Sequence, residues 1–224
     1  MAASQCDPGA GLNNSWTCVA CTPAYKLSDV HVVQNQGHQA LVGVGASGRI
    51  VVAFRGSLSL QDWIDDLKNV KLVDHSACAG CQVGDGWLDT VQSLQDGVTA
   101  AILNISSQFP NAPIIITGHS LGAAVAPLFL VELARTHPDL YARVVFPLYT
   151  FGQPRVGNRA FAQYANSHLP EWFRVVHHDD PVPHLPPHDF GFEHMAREVW
   201  YVYERYQYSR MRACTHVLGG SSDF

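Results

Sequence analysis

The stretch from Pro113 to Leu130, PIIITGHSLGAAVAPLFL, limits what this chain can fold into more than any other. Ile114, Ile115, Ile116 and Thr117 are β-branched and pack well on a pleated surface, so they predict a short buried strand. After Gly118-His119-Ser120-Leu121-Gly122, an alanine-rich apolar run predicts a helix through about Arg135. Strand, G-x-S-x-G and helix in that order is the setting of a nucleophile elbow. A serine on so sharp a turn needs small neighbours, and Gly118, Gly122 and Ala123 supply the room. The following helix would aim its first N–H groups and its positive dipole end at any oxyanion formed beside Ser120. The alternative is a chance pentapeptide in a strand-to-helix turn. The chemistry this pattern suits is acyl transfer through Ser120.

A length of 224 residues predicts one domain, 1–224, with room for a full core. Hydrophobic residues at 47% against 15% charged exclude a disordered chain. A net charge of -5 leaves no basic footprint, which argues against a nucleic-acid partner. No apolar run is long enough for a transmembrane helix.

The cysteines form two close pairs, Cys18/Cys21 and Cys78/Cys81, with Cys6 and Cys214 near opposite ends. They read as disulfide candidates, two pairs closing small loops and one tying the termini, with the pairing left open by sequence. A zinc site from the two C-x-x-C pairs is the rival, although so much fold rarely separates the pairs of a zinc module. A redox role is weaker, because neither pair lies between a strand and a helix. Disulfides imply an oxidising compartment, hence a secreted protein. Residues 1–5 lack an apolar core, so no signal peptide is expected in this chain, which would fit a mature form with an added Met. Sequons at Asn13 and Asn104 are compatible with secretion.

Residues 1–24 read as an irregular arm. VHVVQ, QALVGV and RIVVAFR, separated by QNQG and GASG, predict an antiparallel meander from Val30 to Arg55. Leu60, Trp63, Ile64 and Leu67 fall at i, i+3, i+4 and i+7, with Gln61, Asp62, Asp65 and Asp66 on the other face. That spacing predicts a short amphipathic helix. A longer helix is expected from Asp85 to about Phe109, ended by Pro110. Beyond the elbow come a strand over Val144 to Gly152, a helix over Asn158 to Ser167 and a strand over Glu171 to His177. A Pro- and His-rich loop follows, then a last strand, REVWYVYE. Strands alternating with helices predict an α/β sheet with the meander on one side.

A serine nucleophile needs an orienting acid, and loops at strand C-terminal ends are where open α/β sheets gather such groups. Asp180, in His177-His178-Asp179-Asp180-Pro181, meets that condition, and the proline after it fixes the backbone. An Asx-turn acid with no catalytic task is the alternative. A metal site from His177, His178, Asp179, Asp180 and His184 is a third reading, but no helical i, i+4 spacing organises it.

The motifs GHSLGAA, VAFRGSLSLQDWIDDL, CAGCQVGDGW, TFGQPRVGN and HHDDPVPHLPP, in this order, resemble the fungal and oomycete-type class 3 lipases. Those are secreted α/β-hydrolases acting on triacylglycerols, and the likeness runs from about Trp16 to Tyr203. The resemblance implies a mostly parallel central sheet with an N-terminal antiparallel meander and a short lid helix. It implies Ser120 as nucleophile and Asp180 as triad acid. The oxyanion hole would be the Leu121 N–H with the N–H and hydroxyl of Ser57, and a disulfide would join Cys78 to Cys81. The lid would carry Leu60, Trp63, Ile64 and Leu67, covering an acyl groove or turning onto a lipid–water interface; an ordinary surface helix packed on the core is the alternative. The family's histidine lies near its C-terminus in an Asp-His-x-x-Tyr-like context, further beyond the acid than this chain reaches. After Tyr203 the sequence departs from the pattern, and a truncated end or an altered reading frame is one reading of that departure. His184 and His194 match positions the family keeps for structure, which leaves His216 as the candidate base, or as an incidental tail histidine.

The expectation is a secreted serine esterase of lipase type acting on acylglycerol esters. It needs no metal and no organic cofactor, and it meets lipid or a small ester peripherally at the interface. A feruloyl-type esterase, a lipase-like binding protein without turnover and a metallohydrolase are the alternatives.

Overall fold

The computed structural model describes residues 26–57, 59, 67–169, 171–195, 197–202 and 211–214, the last four by backbone. The meander is present as β1 (Ser28–Asn35), β2 (His38–Val44) and β3 (Ile50–Phe54), each antiparallel to the next. Its first turn has Gln36 at φ 50° and Gly37 at φ 82°. Two left-handed residues in succession match the right-handed twist of a hairpin, which is why a polar residue and a glycine stand there.

Next come β4 (Leu72–Asp74), β5 (Gln82–Gly84) and the long helix α1 (Asp85–Gln108). Then follow β6 (Ile114–His119), α2 (Leu121–Thr136), a single turn α3 (Pro138–Tyr141) and β7 (Leu148–Phe151). The last part holds β8 (Gly157–Asn158), α4 (Arg159–His168), β9 (Trp172–His177), β10 (Phe192–Glu193), β11 (Arg197–Tyr201) and β12 (Met211–Cys214). One sheet runs β1-β2-β3-β6-β7-β9-β11-β12, parallel from β3 to β11 and antiparallel at both ends. The fold is therefore the expected α/β-hydrolase type, with a mostly parallel centre.

Helix α1 buries Trp87, Val91, Leu94, Val98, Ile102 and Ile105, one face of a 3.6-residue period. Helix α2 is buried without interruption from Gly122 to Val131. Its sequence is apolar all round because it is covered all round. Both helices pack with Ile50, Val52, Ile114 and Ile116 in one large core. Leu27, Val30, Leu41 and Ala53 form a smaller cluster of their own.

The structure differs from the sequence expectations at the strand expected from Val144, in a second sheet, and in β12 (Met211–Cys214), which follows the strand expected to be last. The strand expected from Val144 begins at Leu148; Val144 makes an isolated bridge to Ile114, and Pro147 follows a cis peptide and has no N–H for a ladder. A second sheet, β10-β8-β5-β4, was not anticipated, since strands of two or three residues carry no readable alternation. Of the amphipathic helix expected over 60–67, the described part is Leu67, which sits fully buried in a 3-10 turn, Leu67–Asn69. Leu60, Trp63 and Ile64 lie outside the described residues.

Candidate active site

Strand β6 stops at His119 and α2 starts at Leu121, so Ser120 alone makes the turn, at φ 55° and ψ −125°. That conformation is costly for any residue with a Cβ. Its backbone is held on both sides. The Ser120 N–H donates to the Phe151 carbonyl at 3.0 Å, and its own carbonyl accepts from the Ala123 N–H at 2.9 Å. A Cβ on Gly118 would stand 2.1 Å from the Gly122 carbonyl oxygen, and one on Gly122 would stand 2.2 Å from that of Phe54. Both positions thus exclude every other residue. Ser120 is 2% exposed, and its Oγ has no hydrogen-bond partner among the described residues. The N–H of Leu121, first in the helix, has no intrahelical acceptor to donate to. A hydroxyl without a partner next to such a donor is suited to attack and to oxyanion binding.

The close approach of Gly122 brings the end of β3 against the elbow, because a Cβ there would also meet the Arg55 carbonyl oxygen at 2.9 Å. Arg55 and Gly56 are buried and Ser57 is half-buried, so the turn carrying the second expected donor lies beside the first.

Strand β9 leads to Asp180, the expected acid. It ends at His177, His178 turns with φ 47°, and the Asp180 N–H donates back to the His177 carbonyl at 3.0 Å. Asp180 Oδ1 accepts from the Val182 N–H at 3.0 Å, the Asx turn that sequence offered as an alternative. The turn does not use up the carboxylate: a Cβ on Gly152 would stand 2.8 Å from Asp180 Oδ2 and 3.5 Å from His119 Nε2. Gly152, at φ 54°, follows the Phe151 carbonyl that holds Ser120. The serine and the acid therefore share one junction at the C-terminal ends of β6, β7 and β9. Burial lowers the pKa of His119, against the opposing pull of the Asp180 charge.

The remaining histidines of this loop have other work. His178 Nδ1 lies 2.6 Å from Asp179 Oδ1, and its hydrogen bond holds the Asp179 carboxyl below the ordinary range. The His184 carbonyl accepts from the Arg155 guanidinium, and His194 Nε2 donates to the Pro183 carbonyl at 2.7 Å. His184 and His194 thus hold the loop together. Among the described residues no three of His, Cys, Asp and Glu gather as a metal site would require. Cys78 and Cys81 are joined by a disulfide. His216, Cys6, Cys18 and Cys21 lie outside the described residues, as does the side chain of Cys214.

Sequence reasoning did not single out Gly152 or Arg55. For Gly152 a signal existed, a glycine closing the predicted strand in TFG. For Arg55 there was none, because its partners are distant in sequence.

Residues 51–190 match the model of the lipase (class 3) family. The chain belongs to the class 3 lipases. A lipase of Rhizomucor miehei is 38% identical over 196 residues, 86% of this chain and 52% of that protein. A secreted mono- and diacylglycerol lipase of Fusarium solani is 38% identical over 155 residues, 69% of this chain and 44% of its own length. This class 3 chain also superposes on a triacylglycerol lipase whose catalytic centre is a serine protease triad. That match has a TM-score of 0.77 and 37% identity, covering 89% of this chain and 76% of the other. The chain spans about half the length of the curated relatives it matches.

Proposed function

We propose that this class 3 lipase chain is a secreted serine esterase that hydrolyses acylglycerol esters through an acyl-enzyme on Ser120. The observation that carries the reading is the elbow itself, a buried serine whose hydroxyl has no partner among the described residues, held at φ 55° against a helix N-terminus. The names of the relatives, acylglycerol lipases some of which are described as secreted, support the substrate class and the location.

In the proposed first half-reaction Ser120 Oγ attacks the ester carbonyl carbon while a histidine takes its proton. The carbonyl π electrons move onto oxygen, where the Leu121 N–H and Ser57 stabilise the charge. Collapse breaks the C–O bond, and the histidine returns its proton to the departing alcohol. Water then attacks the acyl carbon by the same route, releasing the fatty acid and restoring Ser120. Asp180 orients the histidine and balances its charge, and His216 is the residue proposed for that role. The apolar face of Leu60, Trp63 and Ile64 is proposed as a lid, with Leu67 as its fixed end in the core. No step in this sequence needs a metal or an organic cofactor.

Labelling the folded protein with a fluorophosphonate in dilute detergent, followed by peptide mass spectrometry, tests the reading. A covalent adduct on Ser120, absent from Ser120→Ala, is the expected result, with release of fatty acid from a diacylglycerol emulsion. A folded chain that takes no label and releases no acid would sink the hydrolase reading.

A further inference from the structure

Arg55 is a charged side chain that is 8% exposed, in a place where the hydrolytic steps give it no part. Charges are seldom buried unless something holds them, and here the holders form a pattern. The Arg55 N–H donates to the Gln39 carbonyl at 2.9 Å, extending the β2–β3 ladder one residue beyond Phe54. Its Nη1 donates to Gln39 Oε1 at 3.1 Å, and its Nη2 donates to the Gly37 carbonyl. Gln39 is itself 2% exposed, and its Oε1 also accepts from Gln34 Nε2 at 2.7 Å. The guanidinium thus grips the β1–β2 hairpin at its tip and at the strand just after it. On its other side the Arg55 carbonyl abuts Gly122 of the elbow. Ser57 is two residues further on.

From this we infer that Arg55 is a positioning residue for the oxyanion hole, locking the Arg55-Gly56-Ser57 turn between the hairpin tip and the elbow so that Ser57 stays in register with Leu121. The inference rests on the hydrolase reading of Ser120. A donor contributes to transition-state binding only where the oxygen will be, and loop residues do not hold such a position unaided. A planar fork with two separated donors can span the Gly37 carbonyl and Gln39 Oε1 together, whereas a lysine ammonium acts as a single point.

The test uses the full chain on a soluble p-nitrophenyl ester and on its thionoester, whose developing charge lies on sulfur and fits an oxygen-shaped hole poorly. Arg55→Met is expected to lower kcat about 100-fold with KM changed less than about 2-fold, and to shrink the oxygen-over-sulfur preference about 10-fold. Arg55→Lys should recover part of both. Gln39→Met, which removes one acceptor and leaves the arginine, should move both readouts the same way by about 10-fold, and it serves if Arg55→Met does not fold. Ile105→Ala, a core change on α1 far along the chain from the turn, should lower stability and leave the preference alone. Folded Arg55→Met and Gln39→Met with wild-type kcat and preference would overturn the inference while leaving the hydrolase reading intact. A wild-type chain with no adduct on Ser120 and no turnover would remove both.

Discussion

Ser120 sits in a backbone conformation that L-residues rarely adopt, and it is tolerated because Gly118 and Gly122 leave the turn room to close. Stability and chemistry therefore make opposite demands at this residue. Replacing Ser120 by Gly removes the Cβ and relieves roughly 1 kcal/mol of strain, so thermal unfolding should move up by about 2–4 °C. The same change removes the proposed nucleophile, so labelling and hydrolysis should disappear. Ser120→Ala keeps the Cβ, and its melting temperature should stay below that of the glycine variant; equal melting temperatures would show that the turn is not strained. Gly122 makes the reverse demand. An alanine there would press a methyl into the Phe54 and Arg55 carbonyls, which belong to backbone and cannot swing aside. Gly122→Ala should cost about 3 kcal/mol or more by urea unfolding and reduce esterase turnover, since the elbow and the Ser57 turn must separate. A variant with normal stability and turnover would contradict the contact.

Elements were legible in the sequence to the degree that their determinants were local. The elbow could be read because strand, turn and helix follow each other directly and the glycines are needed by their immediate neighbours. The meander could be read from alternation and from turns such as QNQG. Asp180 was found because it lies in the loop just past a strand, although its contact with Gly152 joins residues far apart in sequence. The small sheet could not be read: β5 and β8 meet at Val83 and Gly157, and nothing near either residue specifies the other. Arg55 stayed hidden because its side-chain acceptors, at the β1–β2 tip and on β2, lie 18 and 16 residues away in sequence. The small sheet depends on one side chain that sequence did not flag. Asn158 Oδ1 accepts from the Gln82 N–H at 3.1 Å and from the Phe161 N–H at 3.0 Å, while its Nδ2 donates to the Gly80 carbonyl at 2.8 Å. It thus caps α4 and ties that helix to the loop closed by Cys78 and Cys81. Asn158→Ala should cost about 2 kcal/mol, and Asn158→Asp, which keeps the acceptor and loses the donor, about half as much. Urea midpoints of the two variants check the order, and an equal loss from both would assign the stability to the Gly80 bond alone.

For the molecule as a whole, three histidines push the response to acid in one direction. Burial lowers the pKa of His38, His75 and His119 below the ordinary histidine value, outweighing the carboxylates beside them. The folded chain therefore resists protons that the unfolded chain accepts. Stability is fully present above about pH 6.5, falls as the unfolded histidines titrate, and levels off once the pH is below the folded values. Each such group steepens the fall by at most about 1.4 kcal/mol per pH unit. His119 is partly exposed, so solvent screens the effect of its burial and it should contribute less than His75. His75 should contribute most, being 7% exposed with its ring edge-on to Phe161. The Ala77 N–H donates to its Nδ1, which puts the proton of the neutral ring on Nε2, facing Glu132 at 3.5 Å. That carboxylate is already shared with Arg135 at 3.0 Å, so it supports a charged His75 only in part. The urea midpoint should therefore drop between pH 7 and pH 5, and it should drop less steeply in His75→Phe. The slope is the readout, because removing the acceptor of the Ala77 N–H lowers the variant's stability at every pH. Asp179, whose carboxyl titrates below this window, does not enter. Parallel slopes for the wild type and His75→Phe would mean that the acid sensitivity arises elsewhere than at the buried histidine between β4 and α2.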